Sequence, residues 1–298
     1  MKADFAAQLV MDRPETLSVA QQVAGAAIKT ILFHVHDDDS IMERLQVGLS
    51  LARACGAHLH CLHVTPIEAY TIVDSFGATF VNRDIVSAFE DEAAKLRQRI
   101  ETQLGIEDVS WDYEEITGEL MPHLIQCAAL ADLVVIGRES PSPEFAGPSI
   151  TLLGDLLHRM RTPLLVIGDG TKDLDPFGLG IVAWNGSYEA ANALRNAVPM
   201  LKLASEVRVL RIEEAKAGQF PSTRALEYLS RHGIHADLVT EERVSDSIKE
   251  DLVEYASFHR AGLIVMGGYG HSRAGEFLFG GVTRGVLRAC PVSLLMSR

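Results

Sequence analysis

Apolar residues in this chain come in short, nearly unbroken runs, separated by segments whose apolar positions recur every three or four residues. "IKTILFHV" (28–35) is one such run, and its length and apolar continuity predict a strand buried on both faces. "SIMERLQVGLSLARAC" (40–55) follows with helical spacing, and "AHLHCLHV" (57–64) returns to the strand pattern. A strand, a helix and a second strand of this size predict a parallel βαβ unit.

The same pattern occurs twice. "GIVAW" (180–184), "SYEAANALRNAVPMLKLA" (187–204) and "EVRVLRI" (206–212) stand against 32–36, 39–56 and 58–64 at one constant offset without gaps. Later in each copy "ADLVVIG" (131–137) matches "AGLIVMG" (261–267), and "TPLLVIG" (162–168) matches "CPVSLLM" (290–296). The first of each pair follows a helical segment, "LMPHLIQCAAL" (120–130) or "IKEDLVEYASFHR" (248–260). The chain therefore reads as two α/β units, about 28–168 and 178–298, joined by the Gly/Asp/Pro-rich "GDGTKDLDPFG" (168–178), with residues 1–27 outside both.

A doubly wound open sheet takes its ligand beyond the carboxyl ends of its strands, where the strand order reverses. In each copy that crevice is bounded by the turn after strand one and the loop after strand four. These are "HDDDS" and "GRESPSPEFAGPS" in the first unit, "NGSYE" and "GGYGHSRAGEFLFGG" in the second. The last of these carries Gly267, Gly268, Gly270, Gly275, Gly280 and Gly281. Such a density of glycine costs entropy on folding and predicts either positive φ angles or a ligand lying against the main chain. Gly267 and Gly270, then Gly280, would let the backbone leave strand four and approach a phosphate chain. A helix starting near Gly281 would aim its free N–H groups and positive dipole end at the anion. The spacing is neither the Rossmann GxGxxG nor the Walker GxxxxGK[ST].

Those residues resemble the universal stress protein family, whose nucleotide-binding members carry G-x2-G-x9-G-[S/T] at this place. "VAWNGSYEAANAL" (182–194) is similar to that family's strand-one turn, usually V-D-G-S before an alanine-rich helix. The resemblance covers the second unit and, through the repeat, most of the first. It implies two repeated doubly wound α/β domains with parallel five-stranded sheets, Rossmann-like in the manner of the adenine nucleotide alpha hydrolases. It implies that they pack as an intramolecular pseudo-dimer through the closing strands "PLLVI" (163–167) and "PVSLL" (291–295), with homodimer formation as further association. It also implies ATP or a related adenine nucleotide, accompanied by Mg, with Ala183 and Asn185 at the adenosine and Gly267, Gly270, Gly280, Gly281, Val282 and Thr283 at the phosphates. Two positions depart from the family pattern: Gly281 replaces the hydroxyl residue and Asn185 the acid. Asn185 still accepts hydrogen bonds but brings no charge to hold a cation. In the first unit the loop after Gly137 lacks the second glycine, so no nucleotide is expected there although Asp37 retains the acid.

Composition narrows the partners. A formal charge of −13 and a pI near 5.3 disfavour nucleic acid and anionic lipid surfaces. No run of apolar residues reaches membrane-spanning length and the first thirty residues lack a secretory pattern, so the expectation is a cytoplasmic protein with no membrane partner. Cys55, Cys61, Cys127 and Cys290 form no CxxC and read as reduced, structural residues.

Several groups invite catalytic or metal assignments. His34, His36, His58, His60 and His63 lie on two neighbouring predicted strands near Asp37, Asp38 and Asp39, which is zinc-like ligand chemistry. Alternation, however, separates His60 from Cys61 and His63, and the repeat places Glu206, Arg208 and Arg211 opposite His58, His60 and His63. They read as partly solvated sheet positions, and no metal ligands are assigned. "WNGSYEA" lacks a nucleophile elbow, and Ser187 reads as a helix N-cap. His271, Arg273 and Arg284 either screen phosphate charge or stand as exposed polar residues. With no catalytic agent in view, the sequence points to a nucleotide-binding stress-response sensor or regulator, with weak ATP hydrolysis at most. The alternative is a non-nucleotide binding or scaffold module whose glycine loop is structural.

Overall fold

The computed structural model describes residues 28–66, 71–73, 79–81, 83–138, 150–168, 177–213, 220–268 and 281–298. Segment 1–27, most of the linker, and the loop positions Gly270, His271, Arg273, Gly275 and Gly280 lie outside these. In chain order the first half contains β1 (Thr30–Val35), α1 (Ile41–Cys55), β2 (His58–Pro66), β3 (Thr71–Val73), β4 (Thr79–Val81), α2 (Arg83–Leu104), β5 (Trp111–Gly118), α3 (Leu120–Ala128), β6 (Leu133–Gly137), α4 (Ile150–Arg159) and β7 (Leu164–Ile167). The second contains β8 (Leu179–Ala183), α5 (Tyr188–Leu201), β9 (Glu206–Ile212), α6 (Ser222–Arg231), β10 (Asp237–Glu241), α7 (Ile248–Phe258), β11 (Leu263–Gly267), α8 (Gly281–Ala289) and β12 (Ser293–Ser297).

Ten strands form one sheet in the order β10-β9-β8-β11-β12-β7-β6-β1-β2-β5, and β3 and β4 make a separate antiparallel hairpin. Each half has the order third, second, first, fourth, fifth, with every pairing inside a half parallel. Parallel strands in such a sheet are covered on both faces, which is why β6 and β7 are buried at every position. Along β1, Ile31, Phe33 and Val35 enter one apolar layer while Leu32 enters the other. Both layers continue into the second half, through Val182, Val265 and Leu295 on one side and Ile181, Ile264 and Leu294 on the other.

The closing strands meet at the centre of the sheet, where β12 and β7 pair antiparallel through Leu294↔Val166, Leu295↔Leu165 and Met296↔Leu164. Val166 and Leu294 are equivalent positions of the repeat, so this register is the one a local two-fold axis through that pair produces. The pairing buries an edge that each half would otherwise expose. Arg138, after β6, strengthens the junction: its Nη1 donates to the carbonyls of Leu287 at 3.0 Å and Cys290 at 2.6 Å. A cation at this end of α8 also complements the helix dipole. Among the described residues no helix is long and apolar enough to cross a membrane.

Candidate functional site

In the second half the order reverses between β8 and β11, and the chain segments leaving these two strands build the crevice. β8 runs into Trp184, Asn185, Gly186 and Ser187 before α5. Asn185 is exposed, and its Oδ1 accepts the Ser187 N–H at 3.1 Å. Ser187 in turn caps α5, its buried Oγ accepting the Ala190 N–H at 3.1 Å, as expected for that residue. Gly186, at φ +72°, supplies the left-handed residue between them. The turn is anchored from behind by the buried Trp184, whose indole N–H donates to the Phe220 carbonyl at 3.4 Å, while the Phe220 N–H donates to Gly186 O at 3.0 Å.

On the facing strand, Gly267 ends β11. A Cβ there would lie 2.5 Å from the Glu189 carbonyl carbon and 2.7 Å from the Ala190 nitrogen. The bare Cα is therefore required by the first turn of α5, a packing role that glycine counting alone does not distinguish from ligand approach. Pairing of Val182 with Val265 brings Ala183 and Gly267 to the same end of the sheet. Gly281 opens α8, Val282 is exposed and Thr283 is buried.

The equivalent crevice of the first half is filled by the protein itself. Arg44 of α1 is 1% exposed, and its guanidinium grips Asp38 bidentately, Nη1 to Oδ1 at 2.8 Å and Nη2 to Oδ2 at 2.7 Å. Nη2 also donates to the His36 carbonyl at 3.2 Å. A Cβ on Gly137, the counterpart of Gly267, would lie 2.8 Å from Arg44 Cζ. The guanidinium thus lies across the switch point between β1 and β6. Asp37, the family-like acid, is engaged by Arg99 at 3.6 Å. Arg44 went unnoticed in the sequence, although it stands on the apolar row Ile41, Leu45, Gly48, Ala52, where a charged residue signals a buried partner.

The histidines divide by strand alternation as expected, but His34 is not partly solvated. It is 2% exposed because β1 is an interior strand covered by helices, and its Nδ1 has no partner among the described residues. Its ring stacks on His36 at 6.0 Å. Burial, reinforced by His36, Arg44 and His63, pushes its pKa well below the ordinary value. Burial also lowers His36, against Asp38 and Asp37, and His63, against Glu115 and Asp37. All four cysteines are free.

Residues 181–298 match the profile of the Universal stress protein family, and no curated protein matches the chain. Solved structures resemble it at greater length. A universal stress protein from Archaeoglobus fulgidus DSM 4304 is 14% identical with a TM-score of 0.67, over 90% of this chain and 96% of its own. A protein from Pseudomonas aeruginosa UCBPP-PA14, provisionally assigned as a universal stress protein, is 18% identical with a TM-score of 0.53, over 91% and 94%. A functionally unknown protein from Pseudomonas aeruginosa PAO1 is 16% identical with a TM-score of 0.54, over 91% and 93%. At these identities the likeness to solved structures is one of fold, and it extends across both halves. Residues 181–298 belong to the universal stress protein family, and the chain as a whole has the α/β fold of solved universal stress proteins.

Proposed function

We propose that the chain binds one adenine nucleotide, ATP with Mg, at the crevice between the ends of β8 and β11, and acts as a cytoplasmic stress-response sensor or regulator rather than a dedicated catalyst. In this reading 28–168 and 178–298 are two domains after an N-terminal extension, forming an intramolecular pseudo-dimer in which only the second binds. The observation that carries it is the position of the glycine spacing: it bridges the end of β11 at Gly267 and the start of α8 at Gly281, in the half where the family profile matches. The contrast between the halves supports it too. The repeat puts Gly186 where Asp38 stands and Asn192 where Arg44 stands, so the ion pair that fills the first crevice has no counterpart in the second.

Each residue has a role in this proposal. Asn185 Oδ1 has a second lone pair to accept a ribose hydroxyl beside the Ser187 N–H it already takes. Gly270 and Gly280 leave the backbone open to the phosphates, and the N–H groups of Gly281, Val282 and Thr283 in the first turn of α8 face negative charge. Ala183 lines the adenosine end. The alternative, a structural loop on a non-nucleotide module, is favoured by Gly267, whose bare Cα is accounted for by α5.

Purified protein separates the two. Heat-released nucleotide is read by absorbance and chromatography, and a fluorescent ATP analogue is titrated for stoichiometry. The expected result is about one site per chain, abolished by Gly280→Val. Two equivalent sites, no binding, or binding indifferent to that change in folded protein would overturn the proposal.

A further inference from the structure

A second chemical constellation lies in the first half, away from the β1/β6 switch point. The parallel register of β2 and β5 places His60 beside Asp112 and Leu62 beside Glu114. Alternation sends these side chains to the face on which Leu62 and Val64 pack with Leu124 and Ala128 of α3. Cys127 of α3 comes down onto the same face. His60 Nε2 lies 3.2 Å from Glu114 Oε2, and Cys127 Sγ lies 3.9 Å from that oxygen. One ligand atom of each of the three residues falls within 4.8 Å of the others.

The hydrogen bonds behind this triad determine what its free faces want. Asp112 Oδ1 takes His60 Nδ1 at 2.7 Å and His58 Nε2 at 3.1 Å, while His58 Nδ1 meets Ser110 Oγ at 2.8 Å. With Asp112 as acceptor, both facing imidazole nitrogens carry protons. Neutral His60 then turns the lone pair of Nε2 toward a carboxylate oxygen and a sulfur. Nitrogen, oxygen and sulfur converge with the Cys127 thiol donating to Glu114, so a cation bound by the three atoms would replace the thiol proton.

We propose that His60, Glu114 and Cys127 bind a divalent transition-metal ion of borderline softness, zinc by class, with solvent in the fourth position and Asp112 orienting His60. The ligand chemistry fits: nitrogen, oxygen and sulfur are the zinc donor set, and three protein ligands with one open place is its usual open-site form. Two of the three separations are of the right size: a tetrahedron with metal–ligand lengths of about 2.0–2.3 Å has edges of about 3.3–3.8 Å, against 3.2 Å for His60–Glu114 and 3.9 Å for Cys127–Glu114, with the His60–Cys127 separation held within 4.8 Å. A carboxylate on the far nitrogen of a ligating histidine fixes its tautomer and raises its basicity. Cys127 is the one cysteine of the four that is not buried, so an ion can reach it. Sequence alone raised zinc-like chemistry at His60 but set it beside other histidines and Asp37–Asp39; Cys127 stands far along the chain and read as a small hydrophobe.

The test uses the full chain with Co2+ and Zn2+ alone. Titration with Co2+ is expected to give one equivalent per chain with a thiolate-to-metal charge-transfer band, displaced by Zn2+. Zn2+ is expected to slow alkylation of Cys127 in the native protein at least tenfold. Cys127→Ser should remove the band, His60→Gln should weaken binding at least tenfold, and Asp112→Asn should weaken it by about 10–100-fold, the usual cost of losing such an orienting partner. The band and the protection are read on the unaltered protein, so a variant that folds poorly leaves the result intact. Absence of the band, or unchanged Zn2+ affinity in folded Cys127→Ser, would overturn the proposal and leave a hydrogen-bonded cluster in which His60 and the Cys127 thiol both meet Glu114.

Discussion

Replacing Arg44 by methionine removes the guanidinium from the first crevice while keeping most of the apolar stem. The two partners are nearly inaccessible, with side-chain exposures of 2% for Arg44 and 7% for Asp38, so solvent screens them little. Removing one member of a buried pair typically costs about 3–5 kcal/mol, because the other charge is left without compensation. Asp38 keeps one further donor, the Ser40 N–H at 2.8 Å on Oδ1, which places Arg44→Met at the lower end, about 3 kcal/mol. Asp38→Asn should cost at least as much, since Arg44 would keep one amide oxygen and the His36 carbonyl as acceptors but lose its countercharge, and its Nε already lacks a partner among the described residues. The double variant Asp38→Asn/Arg44→Met should recover much of the loss, because paired removal of buried charges is often close to neutral. The assay is a double-mutant cycle from urea denaturation, with a coupling of about 2 kcal/mol or more expected. Additive losses, or single variants within about 0.5 kcal/mol of the parent, would refute the idea that a desolvated ion pair closes this crevice.

Two further perturbations test the packing around the same strand ends. His34, His36 and His63 have pKa values held below 6.5 by burial, so below that pH the unfolded chain binds protons that the folded chain does not. Stability should therefore be full above about pH 6.5 and fall as pH drops through about 5.5, by up to about 1.4 kcal/mol for each group, and a urea midpoint flat across that window would contradict it. Gly267→Ala sets a Cβ 2.5 Å from the α5 backbone and should cost about 1–3 kcal/mol, whereas a Cβ on Gly268 meets Leu157 at 3.6 Å and the Ser297 carbonyl oxygen at 3.8 Å, ordinary contacts, so Gly268→Ala should be nearly neutral. Equal melting temperatures for these two variants would remove the packing explanation for Gly267.

The sequence announced most clearly what was buried on both faces. β1, β6, β7, β8 and β11 are apolar runs or close to it, and the repeat set each against its counterpart. The pairing of the closing strands was legible for the same reason, since an apolar strand at the end of each copy needs a neighbour. The third strand of each half was not read from its residues. β5 alternates partly buried and exposed positions, and β10 is exposed at all but one, because these are the edges of the long sheet and half of each strand faces solvent. The first crevice was located and expected to hold no nucleotide, but what occupies it was not read: Asp38 was noted only beside the histidines and Arg44 not at all, because their pairing shows only when the end of β6 is brought over them. Cys127 and Glu114 are a similar case: neither suggests a ligand alone, and only the packing of α3 on β2 and β5 brings them together.

The two crevices show why a symmetric backbone carries an asymmetric chemistry. Each half must satisfy the polar groups left at its strand ends, and the first does so internally: the Arg44 guanidinium bonds the His36 carbonyl and both oxygens of Asp38. That solution fixes a charged side chain over Gly137, where a Cβ would lie 2.8 Å from Arg44 Cζ. In the second half the equivalent positions, Gly186 and Asn192, lack the charges to do this. Among the described residues the side chains of Asn185 and Ser187 bond within their own turn and helix start. A ligand that contacts this crevice in the folded chain alone would stabilise the protein by RT ln(1 + [L]/Kd), about 2.7 kcal/mol at a hundredfold excess over Kd. In the first half the ion pair occupies these positions whether or not a ligand is present, so under the proposed function only variants of the second crevice should change a nucleotide-dependent shift in stability.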